Sequence, residues 1–129
     1  MTYFRLLITG SRDWPDGEFV RDKIMDEIEP FIASGDSVVV VHGACPRGAD
    51  DMASRTVRWL QSAGWAIVEE RHPADWDTHG KRAGFVRNAE MVNIGADLCL
   101  AFQKDGSRGT QMTIDLAQKA EIPLKIYKV

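Results

Sequence analysis

Five apolar, partly β-branched runs recur along the chain: YFRLLIT (3–9), SVVVVH (37–42), WAIVEE (65–70), DLCLAF (97–102) and PLKIYKV (123–129). The first, second and fourth are nearly continuous in apolar character, the pattern of strands covered on both faces. Between the runs, apolar residues recur at a spacing near 3.6. Phe19, Val20, Ile24, Ile28 and Phe31 share one side of a helix over about 17–33, and Met52, Ala53, Val57 and Leu60 do so over about 49–63. Phe85, Val86, Met91 and Ile94 mark a third helix over 81–94, and Met112, Ile114, Leu116 and Ala117 a fourth over 109–120. Unbroken alternation of strand and helix predicts an α/β fold with a five-stranded parallel sheet and helices on both faces.

The 129 residues suit one domain spanning 1–129, and no linker, repeat or low-complexity tract divides them. An apolar fraction of 44% with 27% charged residues fits a soluble globular chain. The net charge of −3 denies the protein the overall positive field on which non-specific nucleic-acid binding relies, so an anion must be caught locally. No run reaches the length of a membrane span, and MTYFRLLITG is too short and poorly flanked for a signal peptide; a cytoplasmic location is expected. In that reducing setting Cys45 and Cys99 are expected to stay unpaired, with Cys99 in the core and Cys45 in a loop. His42, His72 and His79 lack the tight spacing of a zinc site, so neither a metal nor a cofactor is expected.

Open parallel sheets bind ligands beyond the carboxyl ends of their strands, where strand order reverses. The unusual residues collect at those ends: TGSRDW after the first strand, HGACPRGAD after the second, RHPADWD after the third and FQKDGSRGT after the fourth. In the last, Gly106 and Gly109 permit close backbone approach, Ser107 and Thr110 supply hydroxyls and Arg108 a charge, all at the mouth of a helix whose first N–H groups lack partners. That combination describes a phosphate cradle. Gly10, Ser11 and Arg12 face it if the first strand lies beside the fourth. Gly43, Ala44, Arg47 and Gly48 form a third loop, with Asp50 placed to complement the dipole of the following helix. Asp75 and Asp77 offer carboxylates to a ribose diol, and Trp14 and Trp76 offer rings to a base.

LITGSRDW, VVHGACPRGAD, HPADWDTHGKRAGFVRNAEMV, GADLCLAF and GSRGT, in this order, resemble the YspA, cpYpsA-related branch of the SLOG superfamily over almost the whole chain. The resemblance implies a Rossmann-like domain that binds nucleotides or nucleotide-derived ligands. Its enzymatic relatives, the Lonely Guy phosphoribohydrolases, carry an Arg-x-x-x-Met helix and a Pro-Gly-Gly-x-Gly-Thr-x-x-Glu loop. Arg87 and Met91 match the first; Gly106, Gly109 and Thr110 match part of the second, while Asp105, Ser107 and Thr113 depart from it. Thr113 stands where the resemblance implies the glutamate of N-glycosidic cleavage. Glu90, three residues beyond Arg87 on the same helical face, is the candidate substitute carboxylate.

These observations predict a binder of a nucleotide or nucleotide-like phosphoester, acting as a sensor or sequestering module, with a nucleoside monophosphate N-glycosidase using Arg87 and Glu90 as the alternative. The DNA-processing relative DprA raises single-stranded DNA binding, which the acidic balance disfavours. The resemblance also implies a homodimer.

Overall fold

The apolar runs form strands β1 (Tyr3–Gly10), β2 (Ser37–His42), β3 (Ile67–Arg71), β4 (Leu98–Gln103) and β5 (Leu124–Lys128). The structure is a computed structural model describing residues 3–129; Met1 and Thr2, part of the expected 1–129 domain, lie outside the described residues. The five strands form one all-parallel sheet in the order β3-β2-β1-β4-β5. Strand order therefore reverses between β1 and β4, whose shared ladder ends with Gly10 opposite Phe102. The loops leaving those two strands turn to opposite faces and open a crevice.

Helices α1 (Gly17–Ala33) and α2 (Ala49–Ser62) cover one face of the sheet. Their Val20, Ile24, Ile28, Ala53, Val57 and Leu60 pack on Leu6, Ile8, Val38, Val40 and Leu100. On the other face Leu7, Val39, Val41 and Cys99 meet Met91, Val92 and Ala117, carried by α4 (Ala83–Ile94) and α5 (Arg108–Lys119). Successive strand side chains point to opposite faces, so covering both faces requires the unbroken valine run of β2. Each such side chain contributes roughly 1.5–3 kcal/mol on burial.

Two boundaries shift by two residues from the periodicity reading, and several others by one. Trp65 and Ala66 lie in the connection between α2 and β3, because the Trp65 N–H returns to the Leu60 carbonyl at 3.0 Å and the ladder starts only at Ile67. The helix expected over 81–94 is preceded by one turn, α3 (Trp76–His79), and a 3-10 turn at Gly80–Arg82. The Asp75 carboxylate starts α3 by accepting the Thr78 N–H at 3.1 Å, a side-chain cap that apolar spacing does not reveal. Among the described residues no helix is long and apolar enough to cross a membrane.

Candidate functional site

At the β1/β4 reversal lies a concavity of about 480 Å³, a size typical of small-molecule sites. Ser11 joins its walls. Its N–H donates to the Phe102 carbonyl at 2.9 Å, its hydroxyl oxygen accepts the Lys104 N–H at 2.8 Å, and its carbonyl accepts the Trp14 and Ala49 N–H groups at 3.2 and 3.4 Å. One buried residue thus fixes the loop after β1 against the loop after β4 and against the start of α2. Gly10, Ser11, Arg12, Arg47, Arg87 and the segment Ser107–Thr110 all line the space between.

The entrance of α5 forms one wall. The Ser107 hydroxyl donates to the Thr110 hydroxyl at 2.8 Å instead of capping the helix, and the first intrahelical bond is Gln111 N–H to the Ser107 carbonyl. The N–H groups of Arg108, Gly109 and Thr110 are left without a partner among the described residues. Unpaired amides at the positive end of a helix dipole attract an anion. Positive φ at Asp105 and Gly106, 51° and 63°, turns the chain from β4 into this position. Gly106 itself does not line the concavity; it serves the turn.

The surrounding charge matches. Arg12, Arg47, Lys81, Arg87 and Arg108 line the concavity against only two carboxylates, Asp13 and Asp50, so a locally positive site sits in a protein of net charge −3. Lys104 further offsets Asp13 across 3.5 Å.

Arg87 is held in place from three sides. Its Nε donates to Asn88 Oδ1 at 2.7 Å, and its Nη1 donates to the Gly43 carbonyl and to the His72 carbonyl, the latter at 3.4 Å. Asn88 Nδ2 in turn donates to the Gly109 carbonyl at 3.3 Å, linking Arg87 to the α5 entrance. Burial pulls the Arg87 pKa below its ordinary value, opposed by the nearby Asp50 carboxylate. A guanidinium keeps its charge under such a pull.

Asp50, noted from the sequence only as a dipole partner, is the carboxylate that the fold brings into the site. It is buried, lines the concavity, and accepts the Cys45 N–H through Oδ2 at 3.2 Å. Burial pushes its pKa up, partly offset by His42, the Cys45 N–H and Arg87. Beside it, His42 Nδ1 accepts the Ala44 N–H at 3.0 Å, which leaves the ring proton on Nε2 for Glu69, 2.6 Å away. Burial pushes Glu69 up, yet hydrogen bonds from Ser54 and His42 and the charge of Arg71 hold it below its ordinary value.

The remaining expected residues have other placements. Gly43 and Gly48 are spacers between loops: a Cβ at Gly43 would lie 2.5 Å from Arg87 Nη1, and one at Gly48 2.3 Å from the Ser11 carbonyl oxygen. Ala44, at φ 58°, contributes its N–H to His42 and does not line the concavity. Asp75 is the exposed cap of α3, outside the lining. Glu90 is exposed on α4, makes no ion pair with Arg87 and does not line the space. The two tryptophans divide. Trp14 is core, edge-on to Phe102 at 5.5 Å, whereas Trp76 is half exposed at the rim with the Arg12 guanidinium 6.0 Å over its ring. Phe85, also exposed, shares that rim.

A sheet reversal flanked by uncapped helix amides and a ring of cations defines a Rossmann-like ligand-binding domain. The chain belongs to the YspA, cpYpsA-related SLOG family, whose sequence model matches residues 4–79, from β1 through α3. It is 48% identical over 120 residues to the Gene 61 protein of Mycobacterium phage D29, covering 93% of both chains. Its fold is similar to that of the Moco carrier protein from Chlamydomonas reinhardtii, with a TM-score of 0.57, 12% identity, and coverage of 99% of this chain and 78% of that one. At that identity the likeness concerns the fold alone.

Proposed function

We propose that the protein binds a nucleotide or nucleotide-derived phosphoester in the β1/β4 concavity, with the phosphate on the Arg108, Gly109 and Thr110 amides. The observation that carries this reading is the set of three unpartnered N–H groups opening into a space lined by five cations. Arg87, held by Asn88 and Gly43, faces the same anion from α4, and Trp76 and Phe85 offer rings to a base at the rim. The test is thermal melting with a panel of ribonucleoside 5′-monophosphates and, separately, inorganic phosphate. A nucleotide should raise the melting temperature in a concentration-dependent way. A flat response across the panel rejects the reading.

A second reading, N-glycosidic hydrolysis of the bound nucleotide, is favoured by Asp50, a carboxylate inside the concavity able to stabilise positive charge developing at an anomeric carbon. Chromatographic detection of free base after incubation separates the two. Stabilisation without base release leaves a sensor or sequestering module.

A further inference from the structure

The concavity is built differently at its two ends. The α5 entrance is rich in donors: amide N–H groups, the Arg108 guanidinium and, beyond them, Arg87. The β2–α2 end offers an acceptor. Asp50 is 7% exposed and lines the space, with the Cys45 N–H on its Oδ2 and the Gly43 N–H also favouring its charged form. The neighbouring guanidinium makes no hydrogen bond to Asp50; Arg87 Nε and Nη1 are committed to Asn88, Gly43 and His72.

Asp50 thus presents a nearly buried acceptor to the ligand space, and each carboxylate oxygen can accept from more than one donor, including a hydroxyl brought by the ligand. A second phosphate is repelled there. A planar base is better matched by the exposed rings of Trp76 and Phe85 at the rim. What remains between phosphate and base in a nucleotide is the sugar, whose vicinal hydroxyls donate to a carboxylate in other sheets of this class.

We propose that Asp50 accepts hydrogen bonds from the ribose hydroxyls of the ligand and thereby selects ribonucleotides over 2′-deoxyribonucleotides. This rests on the nucleotide reading of the site and narrows its substrate class. Two other carboxylates compete for the role, and neither fits: Asp75 is spent as the α3 cap outside the lining, and Asp13 is exposed and faces Lys104.

The experiment titrates the wild type and Asp50→Asn with each ribonucleoside 5′-monophosphate, its 2′-deoxy counterpart and inorganic phosphate, by calorimetry. The wild type should bind the deoxy form at least about tenfold more weakly, the worth of one hydrogen bond to a charged group. Asp50→Asn should close that ratio to within about twofold, and inorganic phosphate should bind it at least as tightly as it binds the wild type, because a negative charge has left the concavity. Equal binding of ribo and deoxy forms by the wild type overturns the role of Asp50 and leaves the nucleotide reading standing. A ratio that survives in Asp50→Asn, or a loss of discrimination among bases instead of sugars, overturns it too. Failure of every nucleotide to bind removes the underlying reading, and this inference with it. Should Asp50→Asn not fold, the wild-type ratio alone decides.

Discussion

Arg87 Nη1 donates to the carbonyl of Gly43, and a methyl group at Gly43 would lie 2.5 Å from that same nitrogen and 2.7 Å from Cζ. The loop after β2 and the helix α4 are therefore matched to each other through a guanidinium that needs a bare backbone beneath it.

Gly43→Ala is expected to displace the Arg87 head group while leaving the fold nearly intact, because the clash is with the end of a flexible side chain. Its stability cost should stay within about 1 kcal/mol. Nucleotide affinity should fall roughly tenfold, as it should in Arg87→Ala, the change expected when one charge-assisted hydrogen bond to the ligand is lost. Paired melting and titration of both variants check this. Undiminished affinity in both removes Arg87 from the binding site.

Gly48 makes the opposite case. Its φ of 75° and ψ of −146° lie in a region nearly reserved for glycine, and an added Cβ would meet backbone atoms, the Ser11 oxygen at 2.3 Å and the Arg12 carbonyl carbon at 2.6 Å. Gly48→Ala should cost about 3 kcal/mol or more in denaturant unfolding. Gly35 also has positive φ, 84°, but open space around it, so Gly35→Ala should cost only about 1–2 kcal/mol. Similar costs for the two would show that contact with the β1–α1 loop does not constrain the α2 entrance.

Much of this arrangement is legible before any coordinates. The uninterrupted apolar character of β2 reports cover on both faces, and glycines, hydroxyls and arginines crowd the ends of β1, β2 and β4 because those ends meet at one reversal. The destinations of charged side chains are less legible. Spacing places Arg87 and Glu90 on one helical face, but long-range partners at Gly43 and His72, with the adjacent Asn88, draw Arg87 inward and leave Glu90 in solvent. Asp50 reads locally as a residue in the first turn of α2. Its burial follows from the packing of the β1–α1 loop, through the Ser11 carbonyl on the Ala49 N–H and its contact with Gly48, which no local pattern encodes. Trp14 and Trp76 stand in comparable sequence contexts after β1 and β3; only the three-dimensional position of Phe102 separates the core ring from the rim ring.

Acid stability should report on Glu70 in β3. Hydrogen bonds from Arg5, foremost, and His72 lower its pKa to about 2, against some opposition from burial. A carboxylate depressed on folding contributes stability that is fully present above its unfolded pKa of 4.5 and is lost as pH falls toward about 2. Because both partners are partly exposed, screening reduces the contribution to about 1–2 kcal/mol. Glu70→Gln should therefore melt below the wild type at pH 7, with the gap closing between pH 4.5 and 2. A gap independent of pH would assign the loss to packing instead of the Arg5 pair.

The two thiols provide a footprint of the ligand. Cys99 lies fully buried in β4, and burial pushes its pKa up to about 12, so almost no thiolate exists at pH 8. Cys45 is partly exposed and lines the concavity, its own N–H tied to Asp50. Iodoacetamide should modify the native protein once, at Cys45, and both cysteines only after denaturation, as peptide mass spectrometry would resolve. A saturating nucleotide, its binding established by melting, should slow the Cys45 reaction several-fold because the sugar end of the ligand closes over the β2–α2 loop. If the rate is unchanged under saturation, the ligand does not reach that loop, and it must then be held at the α5 entrance alone.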